Sequence, residues 1–161
     1  MARRNAPLAG GFTFIELLVT LAIMGVLALM TVPMAQIALQ RKKERDLRIA
    51  LIQIRAALDA YKHAAEQGRI RLRIGDSGYP HALGELADGV VDQRSPTGQK
   101  LYFLRRLPAD PMQEDSSRPA DTWGTRSYAS APDTEATGSD VFDIYSRSGR
   151  IGLNGVPYRK W

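Results

Sequence analysis

Apolar and polar positions are distributed along this chain in three distinct textures. Residues 1–11, MARRNAPLAGG, are polar and basic and end in two glycines. From Leu17 to Leu39 runs LLVTLAIMGVLALMTVPMAQIAL, 23 residues without a charge. As a helix this run is about 34 Å long, enough to span a bilayer core. Burial of the same run inside a soluble domain is the alternative, but so small a protein offers little core to hide it. Beyond it, Leu47, Leu51, Ile54, Leu58 and Tyr61 recur at steps of four, three, four and three, with Ala50, Ala57 and Ala64 beside them. That is the apolar stripe of an amphipathic helix, whose other faces carry Asp46, Arg48, Arg55, Asp59 and Lys62. The two patterns join into one predicted helix from about Phe14 to Glu66, stopped at Gly68. Its stripe can pack against the chain's own head or against a partner.

After the helix the pattern breaks into short elements rich in Gly, Pro, Asp and Ser. Arg69 to Ile74 alternates Arg with Ile or Leu and predicts an exposed edge strand. Tyr79-Pro80 opens a short turn or helix through Leu86. Residues 108–121, PADPMQEDSSRPAD, read as a loop because Pro108, Pro111 and Pro119 interrupt regular pairing. Strands are expected around Thr125 to Ser130 and Val141 to Ser146, where aromatic and β-branched residues gather. The tail from Gly149 to Trp161 should wrap as a loop. The fold class expected is therefore α+β: a long N-terminal helix, transmembrane in its first half, and a small C-terminal head with a short antiparallel sheet and long loops. The segments are 1–11, 12–40, 41–67 and 68–161.

Composition narrows this modestly. The chain has 161 residues, enough for one globular unit, and a formal charge of +5. Loss of residues 1–11 removes Arg3 and Arg4 and leaves 20 of the 22 basic side chains against 17 acids. That surplus is ordinary solubilisation and calls for no nucleic acid. Arg69, Arg71, Arg73 and Arg105-Arg106 form no interleaved stacking surface, so no nucleic-acid partner is expected. The absence of cysteine excludes a disulfide framework or thiolate metal cluster. No nucleophile elbow, phosphate loop, zinc helix or paired acid-base carboxylates stand at useful spacing, so the chain is not expected to be an enzyme.

One acid, Glu16, stands at the edge of the apolar run. A lone carboxylate costs of order 2.5–3.5 kcal/mol near a bilayer centre and less toward the interface. No cation follows it within the next 23 residues. A cut after Gly11 would leave a protonated α-amine on Phe12 as a partner, from the same chain or from a second copy shifted along the helix. Glu16 as a solvated headgroup-zone residue is the plainer alternative. The order of segments also differs from a secretory signal, whose apolar region precedes its cleavage site and is discarded.

Gly11-Phe12-Thr13-Phe14-Ile15-Glu16-Leu17-Leu18-Val19, after a short basic leader, closely resembles the processing motif of type IV pilins and type II secretion pseudopilins. The resemblance implies a prepilin peptidase that cuts between Gly11 and Phe12 and methylates the Phe12 amine, with Glu16 as the assembly carboxylate. Pro33 falls where many members carry a helix-bending proline, which makes Gly25 to Pro33 the weak stretch of the helix. The head is similar to the major-pseudopilin branch through Leu107-Pro108-Ala109-Asp110-Pro111, Asp121-Thr122-Trp123-Gly124 and Phe142-Asp143-Ile144-Tyr145-Ser146. In that branch the first two motifs are commonly closer together, so Met112 to Thr122 is an insertion. Many members hold calcium in their last loops. Asp140 and Asp143 are candidate calcium ligands by donor type, or else surface acids and turn caps. The second acidic cluster usual near the end is replaced here by Ser148-Gly149-Arg150 and Asn154.

The function this implies is a structural subunit of a type II secretion pseudopilus, supporting protein export across the outer membrane. Its partners would be copies of itself, the peptidase, other pseudopilins, an inner-membrane assembly platform and inner-membrane lipid. A type IV pilus or competence minor pilin is the alternative within the family, and a membrane-anchored periplasmic enzyme or receptor lies outside it. The expected topology is single-pass in a bacterial inner membrane, N-terminus cytoplasmic and head periplasmic. Arg41, Lys42, Lys43 and Arg45 oppose that orientation on a plain positive-inside count. Glu44 and Asp46 interrupt that cluster, and the specific motif takes precedence.

Overall fold

The structure, a computed structural model, describes residues 11–113, 118–131 and 138–161. Residues 1–10 of the expected leader, and residues 114–117 of the loop expected over 108–121, lie outside the described residues. By its contacts the chain divides into two units, residues 1–40 and 41–161.

Helix α1 runs from Phe14 to Glu66, 53 residues, with Pro33 inside it. It is long and apolar enough to cross a membrane by length and composition. Phe14, Leu21, Met24 and Leu29 are more than two-thirds exposed. Apolar surface on that scale marks a segment whose surroundings are lipid or other protein.

In the second unit α1 supplies one side of the core. Leu47, Leu51, Ile54, Leu58 and Tyr61 are all buried, as are Ala50, Ala57 and Ala64. The stripe thus packs on the chain's own head, against Ile70, Leu83, Leu86, Met112, Trp123, Val141, Ile144 and Tyr158. Each buried Leu or Ile contributes about 1.5–3 kcal/mol of transfer free energy. The helix stops where glycine permits it: Gly68 has φ +69. Its N–H donates to Ala65 O (2.9 Å) and Arg69 N–H to Ala64 O (3.0 Å), the crossed pair of bonds that caps a helix C-terminus.

Among the described residues, the head that follows is built from helix α2 (Glu85–Asp88) and strands β1 (Val90–Val91), β2 (Lys100–Leu101), β3 (Trp123–Arg126) and β4 (Asp143–Ser146). Strand β1 pairs antiparallel with β2, and β3 with β4, giving two small two-stranded sheets rather than one. The β3–β4 register sets Trp123 opposite Ser146 and Arg126 opposite Asp143. Short 3-10 turns occupy Pro119–Thr122 and Tyr158–Lys160. The architecture is α+β and pilin-like, a long N-terminal helix followed by a small head.

Local differences from expectation have identifiable causes. Residues 69–74 form no strand: Arg69 O accepts from Gln93 N–H (2.8 Å), and Arg73 N–H turns onto the Asp76 carboxylate (2.7 Å). Both later strands are shorter than expected, and the first begins at Trp123. Strands β1 and β2 gave no periodic signal because two residues cannot show one. The tail is more ordered than a plain loop, with a bridge between Ile151 and Pro157.

Candidate functional site

The residues around the proposed cut lie at the start of α1. Gly11, Phe12 and Thr13 precede the helix, and all are exposed. A Cβ built on Gly11 meets nothing within 4 Å. Nothing among the described residues therefore shields this bond. Thr13 is the N-cap: its Oγ1 accepts from Glu16 N–H at 3.3 Å, and its carbonyl accepts from Leu17 N–H at 3.2 Å. Glu16 thus occupies the third helical position after the Thr13 cap, an acid in the first turn at the positive end of the helix dipole. The spacing from Thr13 to Glu16 already carries this position, beside the readings of the carboxylate as a partner of the Phe12 amine or as a headgroup-zone residue. It supplements both readings, because a carboxylate at the third position leaves most of its hydrogen-bonding capacity for another donor.

Phe12 and Glu16 therefore share one exposed helix entrance, with the bond after Gly11 immediately ahead of it. Further along, α1 passes through both Gly25 and Pro33 as a continuous helix. Proline at position 33 has no N–H, so the carbonyl four residues back loses its helical donor there.

The head carries the three motif segments as one packed unit. Asp110 is 1% exposed. Its Oδ1 accepts from Met112 N–H at 2.8 Å, and its Oδ2 from the Ser146 hydroxyl at 2.5 Å. The Asp110 N–H donates to Thr122 Oγ1 (2.9 Å), and the Trp123 indole donates to Pro108 O (2.8 Å). A Cβ on Gly124 would run into the Tyr145 ring across the sheet. Residues from Leu107–Pro111, Trp123–Gly124 and Asp143–Ser146 thus recognise one another directly, and their chemistry is structural.

The calcium candidates are separated by function. Asp140 accepts hydrogen bonds from the hydroxyls of Ser77 and Ser127 and from Tyr128 N–H. Burial alone would push its pKa up, but these donors together outweigh it and hold the carboxyl below the usual carboxylate range. Asp143 is gripped from both sides by guanidinium groups, Arg55 Nε at 2.9 Å and Arg126 Nη2 at 3.1 Å. Among the described residues no group of three His, Cys, Asp or Glu is placed to hold a metal ion. Asp140 and Asp143 do not fit calcium as a pair, because one serves hydroxyl and amide donors and the other already has two cations beside it.

An open groove of about 500 Å³ beside α1 is lined by Tyr61, Arg71, Arg73, Asp76, His81 and Glu85, among others. Tyr61 OH donates to Glu85 at 3.0 Å and His81 Nδ1 to Ser139 O at 2.6 Å. Burial, and then the Glu85 charge, push the Tyr61 phenol well above its ordinary value, so it stays a hydrogen-bond donor. No nucleophile–base pair results.

Two anchoring residues carried no sequence signal as such. Glu44 lies within a run of basic residues, yet its buried Oε1 accepts from Leu153 N–H and from Tyr158 OH, both at 2.8 Å. Arg55, one of the charged residues on the polar faces of the helix pattern, is the other, and it reaches Asp143 in β4.

Residues 8–32 match the prokaryotic N-terminal methylation motif. The type II secretion system core protein G of Klebsiella pneumoniae is 32% identical over 111 residues, which cover 65% of this chain and 70% of that protein. No solved structure matches.

Proposed function

Because the chain belongs to the family of type II secretion pseudopilins, a family of structural subunits rather than enzymes, we propose that it is cut after Gly11 and built into a filament of its own copies. In this reading a prepilin peptidase frees and methylates the Phe12 amine. The apolar half of α1 holds the subunit in the inner membrane, with the head in the periplasm. Copies then slide along one another until the Phe12 amine of one meets Glu16 of its neighbour. The filament works with other pseudopilins and an assembly platform in export across the outer membrane.

The observation that carries this reading is the helix entrance. The bond after Gly11 lies exposed, and the acid one turn beyond it sits at the head of an uncovered apolar helix. Charge neutralisation gives such a helix a register that apolar packing alone does not supply, since apolar contacts are nearly indifferent to sliding. Gly25 to Pro33 is the stretch at which the helix can loosen on assembly, because Pro33 removes one of its hydrogen bonds.

The test pairs two variants with N-terminal sequencing and mass measurement of the membrane fraction. Gly11→Ala is expected to retain residues 1–11. Glu16→Ala is expected to be trimmed and membrane-bound but to give no filaments. A trimmed Gly11→Ala product would overturn the cleavage assignment, and normal filaments from Glu16→Ala would overturn the charge-pairing model.

A further inference from the structure

The Arg55 guanidinium is surrounded as a metal ion would be. Its Nε donates to Asp143 Oδ1 at 2.9 Å, and its Nη2 donates to Ile144 O at 3.2 Å and to Trp161 O at 2.9 Å. One carboxylate and two backbone oxygens from separated segments are the hard-donor set that a calcium ion gathers when it closes loops. Here the positive charge arrives on a side chain of α1. We propose that Arg55 is the built-in cation of the C-terminal loops, so that the head closes without a bound divalent metal.

Three further observations support this. First, the second oxygen of Asp143 is taken by Arg126 (3.1 Å), so a divalent ion approaching that carboxylate would be repelled by two fixed positive charges. Second, the same helix holds the rest of the tail by its own side chains. Arg48 lies over the Trp161 ring at 4.5 Å, and the Glu44 carboxylate accepts from Leu153 and Tyr158. A carboxylate is thus contributed to the terminal loop as an acceptor for protein donors rather than as a ligand. Third, the turn itself is satisfied internally: Asn154 Oδ1 accepts from Val156 N–H at 3.0 Å, and Gly152 N–H donates to Val156 O at 2.9 Å. Glu44, Arg48 and Arg55 fall one turn and then about two turns apart on α1, so one flank of the helix carries the whole clasp.

The guanidinium also suits the task geometrically. Its planar fork presents several donors in fixed directions, whereas an ammonium group offers a point charge without that spread.

The test uses the full chain in detergent. Thermal unfolding is followed in excess EDTA and in millimolar calcium, and hydrogen exchange is followed across residues 150–161 in the wild type, Arg55→Met and Arg55→Lys. A calcium ion bound at a hundred times its Kd would raise the midpoint by roughly 10 °C in a unit of this size. The wild-type midpoints are instead expected to agree within about 2 °C. Arg55→Met is expected to speed exchange of the Tyr158 and Trp161 amides by roughly tenfold, the loss of about one charged hydrogen bond. Arg55→Lys should fall between it and the wild type, and calcium should slow neither variant. A calcium-dependent wild-type midpoint overturns the proposal even if Arg55→Met does not fold. So does a tail that exchanges equally slowly in Arg55→Met and the wild type.

Discussion

Asp110 illustrates how a single side chain can join segments that are far apart in sequence. It lies in Leu107–Pro111, yet it accepts from Ser146 in β4, 36 positions on, and its backbone N–H reaches Thr122 ahead of β3. Removing a buried acceptor leaves its donors desolvated and unpaired, which costs more than the bond itself contributed. Asp110→Ala strands both the Met112 N–H and the Ser146 hydroxyl, and a loss of about 2–4 kcal/mol is expected from chemical denaturation. Asp110→Asn keeps one acceptor oxygen and should lose less. Glu16 combines two local features, since its backbone N–H closes the first turn on Thr13 Oγ1 while the residue itself stays exposed. Thr13 supports it by fixing the first turn, a role visible once Thr13 and Glu16 are taken together.

At the scale of elements, α1 combines two helices of different logic in one. Its first half has apolar side chains on every side, while the second buries a stripe and exposes the rest. The contrast is testable two residues apart, because Ile54 is fully buried whereas Ile52 is 68% exposed. Ile54→Ala is expected to cost about 2–5 kcal/mol through the cavity it leaves. Ile52→Ala should stay within about 0.5 kcal/mol. Equal effects in urea unfolding of the solubilised chain would mean that the stripe is misassigned. The limits of α1 were legible because a 3.6-residue period runs unbroken to Gly68, where a positive φ favours glycine. The strands were legible only in part. Strands β3 and β4 contain Trp123, Thr125, Ile144 and Tyr145, which have strand preference, but β1 and β2 depend on a turn organised by Asp92. Asp92 N–H donates to Gln99 O at 2.9 Å, and its carboxylate accepts from Arg94 N–H and the Arg69 guanidinium.

At the scale of the head as a whole, Asp92 and Asp140 tie separate segments together, and both are held below the ordinary carboxylate range. For Asp92 the leading cause is the hydrogen bond from Arg69, followed by that from Arg94 N–H. For Asp140, burial opposes the shift and the Ser127 and Ser77 hydroxyls overcome it. A carboxylate whose folded pKa is depressed stabilises the fold above its unfolded value, near 4, and that contribution fades as pH falls through the folded pKa. The head is therefore expected to hold a level thermal midpoint from neutrality down to about pH 5 and to lose stability progressively below about pH 4. Asp140→Asn should flatten part of that acid limb, and an unchanged acid profile would remove Asp140 from its causes.

The sequence by itself determined α1, the apolar half that can cross a membrane, and the processing motif from Gly11 to Glu16. These are local properties, set by the spacing of neighbouring residues along one helix. Tertiary structure alone decided which acids serve as anchors between remote segments of the head. Glu44 meets Leu153 across 109 positions, and Arg55 meets Asp143 across 88. Such pairings carry no periodic signature, because their cause is the packing of the head on the buried stripe of α1, which brings remote charges within hydrogen-bond reach only after the chain has folded.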